Sequence, residues 1–188
     1  MPELIAYLSE ELPYVWRDQY LADSKLPSNI MMVTHGSFEY IFDDYQTLEN
    51  TGQTPYHPTA MSRLVAVHGH SDPKARKRDD GRLKRWIGPT NTVYGHQWDK
   101  GHFIAHTMGG AVDGVEANVF IQRRDLNRGW SKEGARYREM EKYCVAHPGT
   151  YCFSRPVYAD ETSRPAFVEF GVLRSAGDLW VERFSNRI

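Results

Sequence analysis

The chain has 188 residues and only two cysteines, Cys144 and Cys152, which is too few for a disulfide framework. They stand between a helix end and the following strand. Pairing is open to them there, but the expectation is two partly buried free thiols. No Cys-x-x-Cys pair occurs, so a structural zinc site built of thiolates is not expected. No apolar run approaches the roughly 18–20 residues needed to span a bilayer. Met1 to Tyr20 carries Glu3, Glu10 and Glu11 but no basic start followed by an apolar stretch, so a secretory signal peptide is not expected. The expectation is synthesis in the cytoplasm, with any export through a specialised secretion system that reads no such peptide. Internal repeats and low-complexity tracts are missing as well.

A surplus of positive charge is also lacking. Lys and Arg number 23 against 24 Asp and Glu, a net charge of −1, which counts against a nucleic-acid binder. The distribution is uneven, however. Lys74, Arg76, Lys77, Arg78, Arg82, Lys84 and Arg85 crowd one segment, and Arg123, Arg124, Arg128, Lys132, Arg136 and Arg138 another. Taken alone, such clusters read as solvated faces, yet a local basic stripe can follow a phosphate backbone whatever the total charge.

Hydrophobic residues make up 40 % and charged residues 25 %, ordinary for one compact domain with its own core. Leu4, Ile5, Leu8 and Leu12 recur at helical spacing, and Pro13 is expected to end or kink that helix. Ile30–Val33 and Tyr40–Phe42 read as short strands around a Gly36-Ser37 turn, and Arg63–Val67 as another. Gly69 to Thr92, broken by Pro73, Gly81, Gly88 and Pro89, reads as loop. Asp99 to His106 reads as a strand, Met108 to Gly114 as a glycine-rich loop, and Asn118 to Gln122 as a second short strand. Ser131 is placed to cap a helix that runs to about Ala146 and stops at His147-Pro148-Gly149. Tyr151–Tyr158, Ala166–Leu173 and Leu179–Phe184 read as strands. Residues 1–60 are expected to form an N-terminal extension packed on or regulating a main domain at 61–188, with both in one compact unit.

The chemistry concentrates between Asp99 and Glu141. His102 follows a glycine at a strand end, where an imidazole can be presented to a cleft and can deprotonate water. A structural histidine is the plainer reading of that residue alone. Asn118, Gln122 and Asn127 lie among Arg123, Arg124, Asp125 and Arg128. Amides and guanidinium groups can orient a phosphodiester and hold a hard cation, because magnesium takes few protein oxygens; capping of turns is the alternative. In the helix, Tyr137, Met140 and Cys144 share one face with Glu141 beside them, while Glu139 points away. A carboxylate on the inward stripe must be satisfied, either by a hydrated metal or by a salt bridge to Arg85 or Arg138.

Asp99-Lys100-Gly101-His102-Phe103-Ile104-Ala105-His106, then Gly109-Gly110, then Asn118-x-x-x-Gln122-x-x-Asp125-Leu126-Asn127-Arg128-Gly129 resembles the signature of the DNA/RNA non-specific endonuclease family. The family places its metal-binding asparagine nine residues after an earlier one, and here 127 − 118 = 9. Tyr137-Arg138-x-Met140-Glu141 resembles the family's helix with its functional glutamate. The resemblance spans about 45 residues. It implies an α+β fold with a ββα-metal (His-Me finger) core on a mainly antiparallel sheet with flanking helices. It implies further that His102 is the general base and that Asn127 binds Mg2+, with Mn2+ as a substitute. Glu141 would hold metal-bound water, and Asp99 and Asn118 would support the site. Lys100, Gln122, Arg128 and Arg138 would contact nucleic acid. The transition-state arginine lies upstream in that family, with Arg63, Arg82 and Arg85 as candidates. Lys100 stands where the family has arginine, which keeps a phosphate contact but loses bidentate geometry. Phe120-Ile121 replaces the residues before the family's glutamine, and the stretch from Asn127 to Glu141 is longer than in its better-known members.

The resemblance thus implies a metal-dependent, sequence-nonspecific endonuclease acting on DNA and on RNA. By analogy it would be an antibacterial toxin with a cognate immunity protein as partner. Two other classes stand beside it: a nucleic-acid-binding module of the same fold without catalysis, and a metal-independent hydrolase using Cys144 with a histidine.

Overall fold

The leucine-rich N-terminus forms a helix, but Pro13 does not stop it. In the computed structural model, which describes residues 2–25, 27–44, 62–73, 94–111, 116–175 and 177–188, α1 (Pro2–Ala6) widens into a π turn (Tyr7–Glu11) and continues as α2 (Leu12–Asp23). Pro13 falls in the first turn of α2, where its missing N–H is no loss. The helical run therefore continues past the ring, with the π turn directly before it.

Six strands form one antiparallel sheet in the order β1-β2-β3-β6-β7-β8. They are β1 (Ile30–His35), β2 (Phe38–Asp43), β3 (Arg63–His70), β6 (Tyr151–Val157), β7 (Phe167–Leu173) and β8 (Leu179–Ser185). Gly36 takes a left-handed φ of 64° at the β1–β2 turn, which glycine adopts without strain. On β3, Ala66 pairs with Ile41 and Leu64 with Phe42, so Val65 is an extra residue, a bulge. The bulge changes which face Leu64 presents, and Leu64 joins Val67 in one core cluster while Ala66 joins another.

Those two clusters lie on the two faces of the sheet. Leu8 and Trp16 of the N-terminal helices pack with Ala66, Tyr151 and Phe153. The other cluster joins sheet residues (Phe38, Val67, Phe170, Val172) to a separate unit of Phe103, Ile104, Met108, Phe120, Leu126, Tyr137 and Met140. That unit is a two-stranded antiparallel hairpin, β4 (Trp98–His102) and β5 (Val119–Arg123), followed by α3 (Arg124–Arg128) and α4 (Lys132–Ala146). The architecture is α+β with a mainly antiparallel sheet and a strand–strand–helix unit, as the sequence implies.

Local signals account for the helices of this unit. Gly129 ends α3 with a left-handed φ of 72°. Ser131 caps α4 by accepting the Gly134 N–H at 3.0 Å. Gly134 brings the two helices together: a Cβ there would meet the Asp125 carbonyl at 2.4 Å. Two details depart from expectation. β4 ends at His102 rather than His106, because Phe103 N–H turns to the Asn118 carbonyl (3.0 Å) and Ile104 N–H to the Asn118 side chain (3.0 Å). And α3, with five residues, is too short to show helical periodicity.

The hairpin is fastened to the large sheet by polar anchors. Ala111 N–H donates to the Tyr40 hydroxyl (2.8 Å), and Asp72 N–H to the Met108 carbonyl (2.9 Å). Asn186, buried just after β8, accepts from Arg123 N–H (2.7 Å) and donates to the carbonyls of Ile121 and Pro165 (2.9 Å each). Removing that amide strands buried backbone groups on β5, at about 1–3 kcal/mol. Asn186→Ala is therefore expected to lose about that much stability in urea unfolding followed by circular dichroism, whereas Asn29→Ala, on a half-buried loop, should lose less.

Candidate active site

On β4 the run Asp99-Lys100-Gly101-His102 pairs with Gln122-Ile121-Phe120-Val119 of β5. Gly101 is where the two strands need a missing side chain. A Cβ there would stand 2.0 Å from the Gln122 Oε1 and 2.7 Å from its Cβ, so the glutamine lies across the glycine. Gln122 is 1 % exposed. The contact with nucleic acid expected of it is not presented at the surface: the side chain packs on β4.

His102 is half-buried at the end of β4. The chain that follows it is held by Asn118, which is wholly buried. Its Oδ1 accepts from Ile104 N–H (3.0 Å), and its Nδ2 donates to the carbonyls of Ile104 (3.0 Å) and Ala111 (2.6 Å). The Phe103 ring stacks on Phe120 with centroids 4.1 Å apart. The histidine is thus followed immediately by two immobilised residues.

Asp99 ties β4 to α3. Arg124 Nε reaches its Oδ1 at 2.9 Å, Arg128 its Oδ2 at 2.6 Å and its Oδ1 at 3.1 Å, and Asn127 Nδ2 its Oδ2 at 3.3 Å. Arg124, Asn127 and Arg128 share a helix face at i, i+3 and i+4. Burial opposes ionisation of Asp99, but the hydrogen bonds from Arg128, Arg124 and Asn127 outweigh it and hold the carboxyl below its ordinary pKa. Because Asn127 uses its amide nitrogen on Asp99, its Oδ1 is directed to the opposite side of the amide.

Arg138, on α4, ties the two helices. It donates to Glu141 Oε2 at 2.6 Å and also to the Asn127 carbonyl. Glu141 is only 7 % exposed, and burial raises its pKa although the Arg138 cation opposes the rise. Tyr137, one turn earlier, is buried; burial and the Glu141 charge push its hydroxyl well above the ordinary tyrosine value. Lys100 is half-buried on β4, and burial lowers its pKa. The salt bridge from Glu141 to Arg138, one of the two partners open to it from sequence, is therefore present.

Arg63 does not join these residues. It lies at the start of β3, buried, with its guanidinium 4.7 Å from the centre of the Tyr158 ring and donating to the Asp160 carbonyl (2.6 Å). It lines a cleft of about 470 Å3 shared with Trp16, Tyr20, Lys25 and Arg155, apart from the 99–141 group. Arg82 and Arg85, with the basic segment around them, lie outside the described residues. Cys144 and Cys152 are both buried and unpaired as a disulfide; the Cys144 thiol and burial raise the pKa of Cys152, the opposite of an activated nucleophile. In sequence Arg124 stands out only as a member of a basic cluster, although its i, i+4 spacing to Arg128 directly after a strand is a signal for a shared partner.

The donors suited to a metal are the Asn127 Oδ1 and the Glu141 carboxylate. Among the described residues no group of three His, Cys, Asp or Glu side chains gathers as a metal-binding cluster. One neutral amide and one buried carboxylate suit a cation that keeps most of its water, as magnesium does, rather than a fully protein-bound zinc. A cation beside Glu141 would also offset the burial that disfavours its charge.

No family model matches the chain, and no curated protein is similar to it. Among solved structures, the chain is similar to one described as the Sda1 nuclease with bound zinc ion, with 15 % identity, 91 % of this chain and 82 % of that chain covered, and a TM-score of 0.44. It is also similar to an extracellular endonuclease (14 % identity, 89 % and 85 % covered, TM-score 0.38) and to an extracellular nuclease (13 % identity, 88 % and 91 % covered, TM-score 0.35).

The raised pKa of Glu141 has a sign for stability. A carboxyl whose folded pKa exceeds its unfolded value contributes fully below the unfolded pKa, and that contribution is lost as pH rises through the folded one. Glu141→Gln removes this loss. In metal-free buffer the variant should melt at or above the native temperature near pH 8, with the difference shrinking toward about pH 4. Thermal melts across that range check this; a variant markedly less stable at pH 8 would show the ionised Glu141–Arg138 pair to be stabilising instead.

Proposed function

We propose that the chain is a metal-dependent endonuclease that hydrolyses phosphodiester bonds of DNA, and of RNA, without reading base sequence. The single observation that supports this most is the arrangement around Asp99. One carboxylate on the histidine's own strand binds Arg124, Asn127 and Arg128, so a general base and an amide ligand are built into one frame.

In this reading His102 takes a proton from a water molecule, which attacks phosphorus in line. Asn118 keeps the strand end still, so the imidazole does not have to be ordered when substrate arrives. Asn127 through Oδ1, with Glu141 in the outer shell, would hold Mg2+, for which Mn2+ can substitute; that ion supplies neutralisation of the charge developing on the phosphate and on the leaving 3′-oxygen. Lys100, Arg128 and Arg138 contact phosphates, which position a strand and carry no base information. Asp99 aligns Arg128 and Asn127. The upstream arginine of the transition state would be Arg82 or Arg85, since Arg63 is engaged in a separate cleft.

A nuclease without base selectivity threatens the cell that makes it. The reading therefore extends to a toxin effector restrained by a cognate inhibitor protein and delivered by a specialised secretion system, on the strength of analogy.

Supercoiled plasmid, incubated with native protein or His102→Ala in Mg2+ or EDTA, tests the central claim. Native protein with Mg2+ should degrade the plasmid, EDTA should stop it, and His102→Ala should be slower by about 10²–10⁴-fold while melting at the native temperature. Full activity of the alanine variant would remove His102 as the base. Binding of plasmid without cleavage by native protein would favour a binding module of the same fold.

A further inference from the structure

Trp130 is 67 % exposed, the most exposed aromatic side chain among the described residues. It stands three positions after Asn127, in the three-residue joint between α3 and α4. Its backbone is not loose. Trp130 N–H donates to the Asp125 carbonyl at 2.8 Å, Gly129 before it closes α3, and Ser131 after it caps α4. A large indole is thus held on a rigid joint with most of its surface in water, where it contributes nothing to the core.

Its surroundings are cationic. Arg128 lies over one face of the ring, 4.9 Å from the centroid. The depression that Trp130 lines also contains Arg123, Arg124, Lys132 and Arg187. Against these five cations stand Asp99, Asp125 and Glu133. The guanidinium occupies one ring face and sets the orientation of the indole.

We propose that Trp130 is a stacking platform for an unpaired nucleobase next to the phosphate handled at Asn127, which makes single-stranded nucleic acid the preferred substrate class. This rests on the nuclease reading above. A base inside a duplex has both faces in the stack, whereas an unpaired base can place one on an indole. Stacking of this kind tolerates any base, because every base has a π face, and it operates beside a positively charged groove. A surface for a protein partner would offer aromatic area too, but the excess of cations around the ring favours a polyanion.

Binding is read first, without chemistry. The full chain carrying His102→Ala is titrated in EDTA with a fluorescein-labelled single-stranded oligonucleotide and with the matching duplex, following anisotropy and tryptophan emission. Adding Trp130→Ala should weaken single-strand binding about tenfold, the stacking of one base, and weaken duplex binding much less; Trp130→Phe should restore most of it. Part of the emission change on single-strand binding should vanish in Trp130→Phe. In the cleavage-competent protein the same loss should fall on KM for the single strand rather than on kcat.

Equal losses on both substrates, or no loss on either, overturn the proposal, as does an emission change of undiminished size in Trp130→Phe. Failure of single strands to bind at all overturns it too and turns the indole toward a protein partner. Failure of the nuclease reading is seen separately, as absence of cleavage by native protein with Mg2+.

Discussion

Two strands of five residues each have too little area of their own to hold a side chain in a fixed place. Everything proposed for the site depends on how that shortage is met. Asn118 supplies three buried hydrogen bonds to the loop that leaves β4, and Asn186 supplies three to β5 and to the segment before β7. Buried amides do this better than apolar packing, because each bond has a direction and an unmade one is costly. Apolar contact through Phe103, Phe120 and Met108 adds adhesion to the sheet. The hairpin is therefore a small unit made rigid by its neighbours.

The electrostatics follow the same plan in two opposite ways. Asp99 is over-satisfied, with two guanidinium groups and an amide on one carboxylate, and it stays ionised readily. Glu141 is under-satisfied: it is buried, has Arg138 as its ion-pair partner, and is disfavoured as an anion. Such unresolved cost is what a site keeps when another ligand is meant to supply the balance. In the proposed reading the two carboxylates would divide the work of alignment and of cation attraction, each according to its surroundings.

What could be read from sequence was what neighbouring residues encode. Ser131 and His147-Pro148-Gly149 mark helix ends by local chemistry, and α4 has the expected limits. The hairpin partners were legible because Asp99-Lys100-Gly101-His102 and Val119 to Gln122 each lie on one strand. The distant partners were not. Asn186 reaches β5 from the far end of the chain, and nothing around it in sequence announces a brace. Gln122 reads as a polar residue available to substrate; only its pairing with Asp99, which lays its side chain over Gly101, shows that it is buried. Arg63 reads as an upstream arginine like any other, and its direction depends on the pairing of β3 and on Tyr158, which is far away in sequence.

The sharing of Asp99 has a consequence for how the protein would respond to ionic strength. Nucleic-acid affinity falls with added salt in proportion to the counterions that protein cations displace. Arg124 and Arg128 would come to a phosphate with their charge already partly answered by a carboxylate, and Arg123 is likewise matched by Asp125 and Glu133. Each such arginine displaces less than one counterion. The logarithmic salt slope would accordingly correspond to fewer phosphates than the arginines on the surface suggest, and association would survive salt concentrations that strip a protein whose cations are unpaired.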